Sequence, residues 1–148
     1  MARVWRFGSD VDTDQIVPGR YAPYMTSEAE LGKYPFVEAR PEFAREVRPG
    51  DLVVAGRNFG CGSSREYAPK ALKVVGEGAI IAQSFARIFF RNALNLGLAL
   101  FEVPWTDEIA DGEEVTLDVE AGRLLTSHGA YALVPPPEFV REIWREGS

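Results

Sequence analysis

The stretch Leu52-Val53-Val54-Ala55-Gly56-Arg57-Asn58-Phe59-Gly60-Cys61-Gly62-Ser63-Ser64-Arg65-Glu66 sets an apolar run against a glycine-rich turn and then a polar, helix-starting string. Leu52–Ala55 reads as a buried strand, Gly56–Gly62 as a turn, and the residues after it as a helix reaching about Val75. Gly60 and Gly62 allow positive φ and a close backbone approach. Ser63 with Glu66 matches a capping box, which would turn backbone N–H groups and the positive helix end toward the loop. Pro69 sets a limit, because proline removes a helical hydrogen bond, so the regular helix is expected to begin nearer Tyr67.

The same alternation continues downstream. Ala79–Ala82 reads as a second buried strand, Ser84 to about Asn95 as a helix stopped by Gly97, and Leu98–Val103 as a third strand. Strand, helix, strand, helix, strand in that order implies parallel pairing. Upstream, Val4–Phe7 suggests a short strand, followed by the acidic turn Asp10–Asp14. From Pro18 to Pro49 no period persists, and a loop of this length is expected to be functional or partly disordered. Glu114–Val119 and Arg123–Thr126 fit a hairpin around Ala121-Gly122, Tyr131–Val134 adds a strand, and Glu138–Arg145 reads as a short helix after three prolines. The expected fold is one α/β domain over 1–148 with a mixed sheet, the motif-bearing part spanning about 1–104 and the C-terminal hairpin and helix about 113–146.

Bulk composition narrows the function classes. The 148 residues are 46% hydrophobic and 26% charged, as in an ordinary globular protein. A net charge of -6 argues against a nucleic-acid partner. No apolar run reaches the length of a membrane span and no signal peptide opens the chain, so a cytoplasmic location and no membrane partner are expected. Lysine occurs only at Lys33, Lys70 and Lys73; the other cations are arginines, whose fork suits carboxylates. Cys61 is the only cysteine.

On residues alone, Gly60–Glu66 is either an anion site or merely a capped helix start. The usual phosphate loops are absent, and a serine hydrolase lacks both its glycine-flanked elbow and a base other than His128. Asp10, Asp12 and Asp14 lack the downstream Gly and Glu of a calcium loop, which leaves them to cap turns. Arg87 and Arg91, four apart on one helix face, would meet a partner or face solvent.

Three segments carry a resemblance. Asn58–Ala68, Asp10-Val11-Asp12-Thr13-Asp14-Gln15-Ile16, and Ala82–Phe89 with Arg91-Asn92 together resemble the swivelling β/β/α domain of the aconitase superfamily. The likeness is strongest to the separate small subunits of 3-isopropylmalate dehydratase and homoaconitase. The resemblance implies an aconitase C-terminal-domain-like fold and a hydro-lyase that moves a hydroxyl to the neighbouring carbon by dehydration and rehydration. It implies a role in leucine biosynthesis or in lysine biosynthesis through 2-aminoadipate. It further implies a [4Fe-4S] cluster held by three cysteines; with one cysteine here, no cofactor or metal is assigned to this chain, and an iron–sulfur large subunit is the implied partner, in a heterodimer or heterotetramer.

By the same resemblance Ser63 is the catalytic base, and Ser64 and Arg65 bind a carboxylate of a small hydroxy-acid di- or tricarboxylate. Arg20, Tyr21 and Tyr24 belong to the loop that faces the variable substituent of the substrate, while Asp12, Thr13, Asp14, Gly60, Cys61 and Gly62 shape the site. Ala22-Pro23-Tyr24 carries no arginine of the kind found in some homoaconitase loops, and Arg20 just precedes it, so both substrates stay open. Cys61 is also explained as a small residue packed in a turn, and His128 as a hairpin histidine. A stand-alone carboxylate-binding or regulatory module of the same fold is the alternative.

Overall fold

The computed structural model describes residues 2–62, 66–76 and 78–133. Four parallel strands form its centre: β1 (Ala2–Arg6), β2 (Leu52–Ala55), β3 (Ala79–Ala82) and β4 (Leu100–Glu102). Three antiparallel strands, β5 (Glu114–Asp118), β6 (Arg123–Thr126) and β7 (Gly129–Ala132), extend the sheet from the free edge of β1. The resulting mixed sheet has the order β4-β3-β2-β1-β5-β6-β7.

The period-2 pattern of the central strands splits the core in two. Trp5, Val53 and Ile80 point to one face, where they pack with Ala68, Leu72 and Phe89 from the helices. Val4, Leu52, Val54 and Ile81 point to the other, where Val115, Leu124 and Leu133 from the antiparallel end close over them. Both faces are buried, so β2 and β3 read as unbroken apolar runs. Each such side chain stabilises the fold by roughly 1.5–3 kcal/mol through burial.

Helices α4 (Tyr67–Val74) and α5 (Arg87–Asn95) follow β2 and β3. Helix α4 begins at Tyr67, which places Pro69 in the first turn, where its missing N–H breaks no helical bond. Glu66, assigned above to a capping box with Ser63, is itself the N-cap residue and makes no side-chain cap bond; Ser63 lies outside the described residues. Helix α5 starts at Arg87 and not at Ser84, because Ser84–Ala86 stay extended and pair with Phe59.

The region 18–49 departs from expectation. It holds a 3-10 helix (Gly19–Tyr24), α2 (Glu28–Leu31) and α3 (Glu42–Glu46), after α1 (Thr13–Ile16) at its entrance. Elements of four to six residues leave no periodic trace, which is why the sequence reads as irregular there. The region also supplies core: Phe36 and Phe43 are fully buried. Phe36 stacks on Phe7 at 4.1 Å, and Phe43 meets Trp5 edge-on at 5.0 Å. Phe36 takes φ +55, a costly value for a bulky residue, fixed by hydrogen bonds from its N–H to Ile16 O (2.7 Å) and from Arg40 N–H to its own carbonyl (2.7 Å).

Arg40 closes this cluster from outside. Its guanidinium lies over Trp5 and Phe7, donates to Arg6 O, and holds Asp111 through two bonds of 2.9 and 2.7 Å. At the antiparallel end, the hairpin turns at Gly122 as read from sequence, and the third strand is displaced to Gly129–Ala132. Val134 and the helix read at Glu138–Arg145 lie outside the described residues.

Candidate active site

Parallel strands release their loops at one edge of the sheet, the usual ligand-binding edge of an open α/β sheet. Here the loops after β1, β2 and β3 are joined by backbone hydrogen bonds into one ledge, with the β2 loop in the middle. On one side, Gly56 N–H donates to Gly8 O (3.1 Å), Asp10 N–H to Arg57 O (2.8 Å), Gly60 N–H to Val11 O (2.7 Å), and Thr13 N–H to Cys61 O (2.8 Å). On the other, Gln83 N–H donates to Gly56 O (2.9 Å), Phe59 N–H to Ser84 O (3.0 Å), and Ala86 N–H to Phe59 O (2.9 Å). The three sequence segments singled out above are these three loops, which explains why they occur together.

Individual positions fit their places in the ledge. Gly60 has φ +85, and a Cβ there would lie 2.2 Å from Phe89 Cγ, so only glycine lets the loop rest on that ring. Asn58 and Asp10 both adopt left-handed φ, near +60 and +58, and are tied by a 3.2 Å bond from Asn58 Nδ2 to Asp10 Oδ1. Ser84 Oγ accepts from Asn58 N–H at 2.8 Å. Asp12 caps α1 and forms a full capping box with Gln15. Thr13 is buried against Cys61, and Asp14 Oδ1 accepts from Gly19 N–H at 2.8 Å, which fixes the start of the 3-10 helix. Asp12 and Asp14 therefore cap turns, as their spacing suggested.

The structure brings Asp12, Thr13, Asp14, Gly60, Cys61 and Gly62 together on this ledge, and the segment holding Arg20, Tyr21 and Tyr24 follows directly from it. Arg20 forms an ion pair with Glu38, and its guanidinium lies near the Tyr21 ring, which stacks on Tyr34 at 5.0 Å. Tyr24 is 61% exposed. Ser63, Ser64 and Arg65 lie outside the described residues, between Gly62 and Glu66. His128 sits in the exposed β6–β7 turn, where its N–H donates to Thr126 Oγ1. Arg87 and Arg91 are exposed on α5, with Ile88 between them in sequence and 52% exposed.

Burial pushes the Cys61 thiol above its ordinary pKa, and the carboxylates of Asp12 and Asp10 push it the same way. Two parts of the ledge escaped the sequence reading, the Asn58–Asp10 pair and the Ser84 hydroxyl, as did Glu38 outside it. A left-handed preference of Asn and Asp was the available signal for the first. Ser84 looked like a helix cap, and Glu38 carried no local signal.

Residues 9–104 match the family model described as the aconitase C-terminal domain. The chain belongs to the aconitase C-terminal domain family. Among its relatives, the homoaconitase small subunit of Thermus thermophilus is 56% identical over 100% of this chain and 91% of its own length. A 3-isopropylmalate dehydratase small subunit of Deinococcus radiodurans is 53% identical over 100% of this chain and 84% of its own length. The crystal structure of a 3-isopropylmalate dehydratase from Methanocaldococcus jannaschii superimposes with a TM-score of 0.91 at 42% identity, covering 99% of this chain and 88% of that one. The family match spans β2 to β4 and the ledge loops from Ser9 onward, and leaves β1 and the β5–β7 extension outside it. Both relatives are named as small subunits, which is the role the sequence resemblance implied.

Iron–sulfur ligation needs several cysteine thiolates. This member of the family has Cys61 alone, and its surroundings favour the thiol. Among the described residues no group of three or more His, Cys, Asp or Glu side chains could hold a metal, and no helix is long and apolar enough to cross a membrane. The residues of this chain do not fit a [4Fe-4S] cluster.

Proposed function

We propose that this chain is the small subunit of a two-chain hydro-lyase that removes water from a 2- or 3-hydroxy acid and returns it with the hydroxyl on the neighbouring carbon. The observation that carries the proposal is the hydrogen-bonded ledge, which fixes the backbone at Gly60 and Cys61, just ahead of Ser63-Ser64-Arg65 in sequence. Relatives named for 3-isopropylmalate dehydratase and homoaconitase support the substrate class: a small hydroxy acid with two or three carboxylates. The [4Fe-4S] cluster that family resemblance implies is assigned to a large partner subunit, because this chain lacks the ligands.

In this scheme the Ser63 alkoxide takes the proton from the carbon beside a substrate carboxylate, and the neighbouring carbon releases its hydroxyl, which takes a proton from solvent and leaves as water, as the double bond forms. The reverse sequence, with the two carbons exchanged, re-adds water. An alkoxide at Ser63 needs positive potential, which the Arg65 charge and nearby backbone N–H groups would supply. Arg65 would hold the carboxylate with a two-pronged bond and Ser64 would add one more. The ledge contributes rigidity, since positioning errors of about 1 Å can cost about a hundredfold in rate.

The test is reconstitution. The isolated chain should turn over neither 3-isopropylmalate nor homoaconitate, and co-expression with an iron–sulfur large subunit should give hydratase activity on at least one of them. Turnover by the isolated chain, or none by the pair, would overturn the assignment.

A further inference from the structure

The end of the sheet opposite the ledge, where β1 and β2 begin, holds a cleft of about 550 Å³. Arg3, Arg45, Glu46, Arg48, Asp51 and Glu114 line it. Asp51 is its buried member, 4% exposed, and accepts from Arg3 N–H (3.1 Å), Trp5 Nε1–H (3.0 Å) and Arg48 N–H (3.0 Å). These bonds occupy the carboxylate and hold the main chain at Arg3 and Arg48 in place. The Arg3 guanidinium lies 4.0 Å from the centre of the fully buried Trp5 ring and pairs with Glu46. Glu114 stands opposite Arg3 in the β1–β5 pair, so both exposed carboxylates have Arg3 as a neighbour. Arg45 and Arg48 differ. Among the described residues neither forms an ion pair, although the chain carries a net charge of -6 and carboxylates outnumber cations.

We propose that this cleft binds a small oxyanion, a dicarboxylate or a phosphate compound, through the guanidinium forks of Arg45 and Arg48. A guanidinium offers five N–H donors in a planar fork that matches the paired oxygens of either group. The hydrogen bonds to Asp51 fix the backbone that carries Arg48, so part of the site is ordered before the ligand arrives. Both arginines are exposed, which makes the binding modest and sensitive to salt. The site is separate from the ledge, and the proposal does not rest on the hydro-lyase assignment.

The experiment is calorimetric titration of the full chain with succinate and, separately, with inorganic pyrophosphate. At least one of them should bind at a single saturable site, and raising the ionic strength from about 10 mM to about 150 mM should weaken that binding. Arg45→Gln and Arg48→Gln should each weaken it by about threefold to tenfold, and the double variant should abolish it. Arg123→Gln, at an exposed arginine outside the cleft, should leave it unchanged. An unaltered urea midpoint in the cleft variants reports an intact fold. Binding of succinate alone supports a carboxylate site, and binding of pyrophosphate alone supports a phosphate site. No saturable binding of either anion, or binding that survives in the double variant, overturns the proposal.

Discussion

Replacing Gly60 with alanine should destabilise the fold by about 2–5 kcal/mol, and the structure separates the cost into two parts. Gly60 sits at φ +85, and an L-residue in the left-handed region costs about 1–2 kcal/mol. The new Cβ would also lie 2.2, 2.5 and 2.7 Å from Phe89 Cγ, Cβ and Cδ1. Phe89 is buried and ringed by Phe59 at 5.3 Å and Phe85 at 6.3 Å, so it cannot swing aside without moving the cluster. Overpacking of this kind costs about 1–3 kcal/mol. Gly112 provides the control, since it has φ +80 and a Cβ there would meet nothing within 4 Å. Urea unfolding followed by tryptophan fluorescence should place Gly112→Ala about 1–2 kcal/mol below wild type and Gly60→Ala well below that. In a Phe89→Ala background the contacts with Cγ and Cδ1 vanish while the one with Cβ at 2.5 Å remains, so the Gly60→Ala cost should shrink toward the Gly112→Ala value without reaching it, a coupling of up to about 3 kcal/mol. Equal costs for the two glycines, or no coupling to Phe89, would refute the packing assigned to the ledge.

Two further outcomes follow from titrating groups. Asp111 is held below the usual carboxylate range first by its hydrogen bonds from Arg40. A lowered native pKa means the pair contributes stability above the unfolded Asp value of about 4 and loses it as pH falls through the native pKa. Asp111 is 47% exposed, so Asp111→Asn should cost at most about 1 kcal/mol at pH 7, with the difference from wild type narrowing in urea titrations as pH falls below about 4. A gap that does not narrow would contradict the pairing. For Cys61, whose thiol is pushed up by burial and then by Asp12 and Asp10, the pH–rate profile of iodoacetamide alkylation should inflect above that of free cysteine. Asp10→Asn should move the inflection down, and an inflection at or below free cysteine would contradict the site's electrostatics.

The parts of the fold visible in sequence are those with a repeating burial pattern. Leu52–Ala55 and Ala79–Ala82 are buried on both faces and stand out as apolar runs. Pro69 placed the start of α4 near Tyr67, through one missing N–H that only the first turn tolerates. Ser84 misled because its hydroxyl serves a different loop: it accepts from Asn58, and the helix begins three residues later. The region 18–49 was opaque for another reason. Its order comes from Phe36 and Phe43 filling space beside Trp5, and from Arg40 reaching Asp111 across 71 positions. Contacts of that kind leave no mark on neighbouring residues. In the candidate site, the glycines and acidic caps were readable because each answers a local backbone need, whereas the Arg20–Glu38 ion pair joins two separate segments.

The most direct test of the account is Ser63→Ala in the reconstituted pair, read by turnover and by exchange of solvent deuterium into the substrate carbon that loses its proton. Removing a positioned general base should lower kcat by about 10²–10⁴ and abolish exchange, with KM little changed. Turnover and exchange at wild-type rates would contradict the account at its centre.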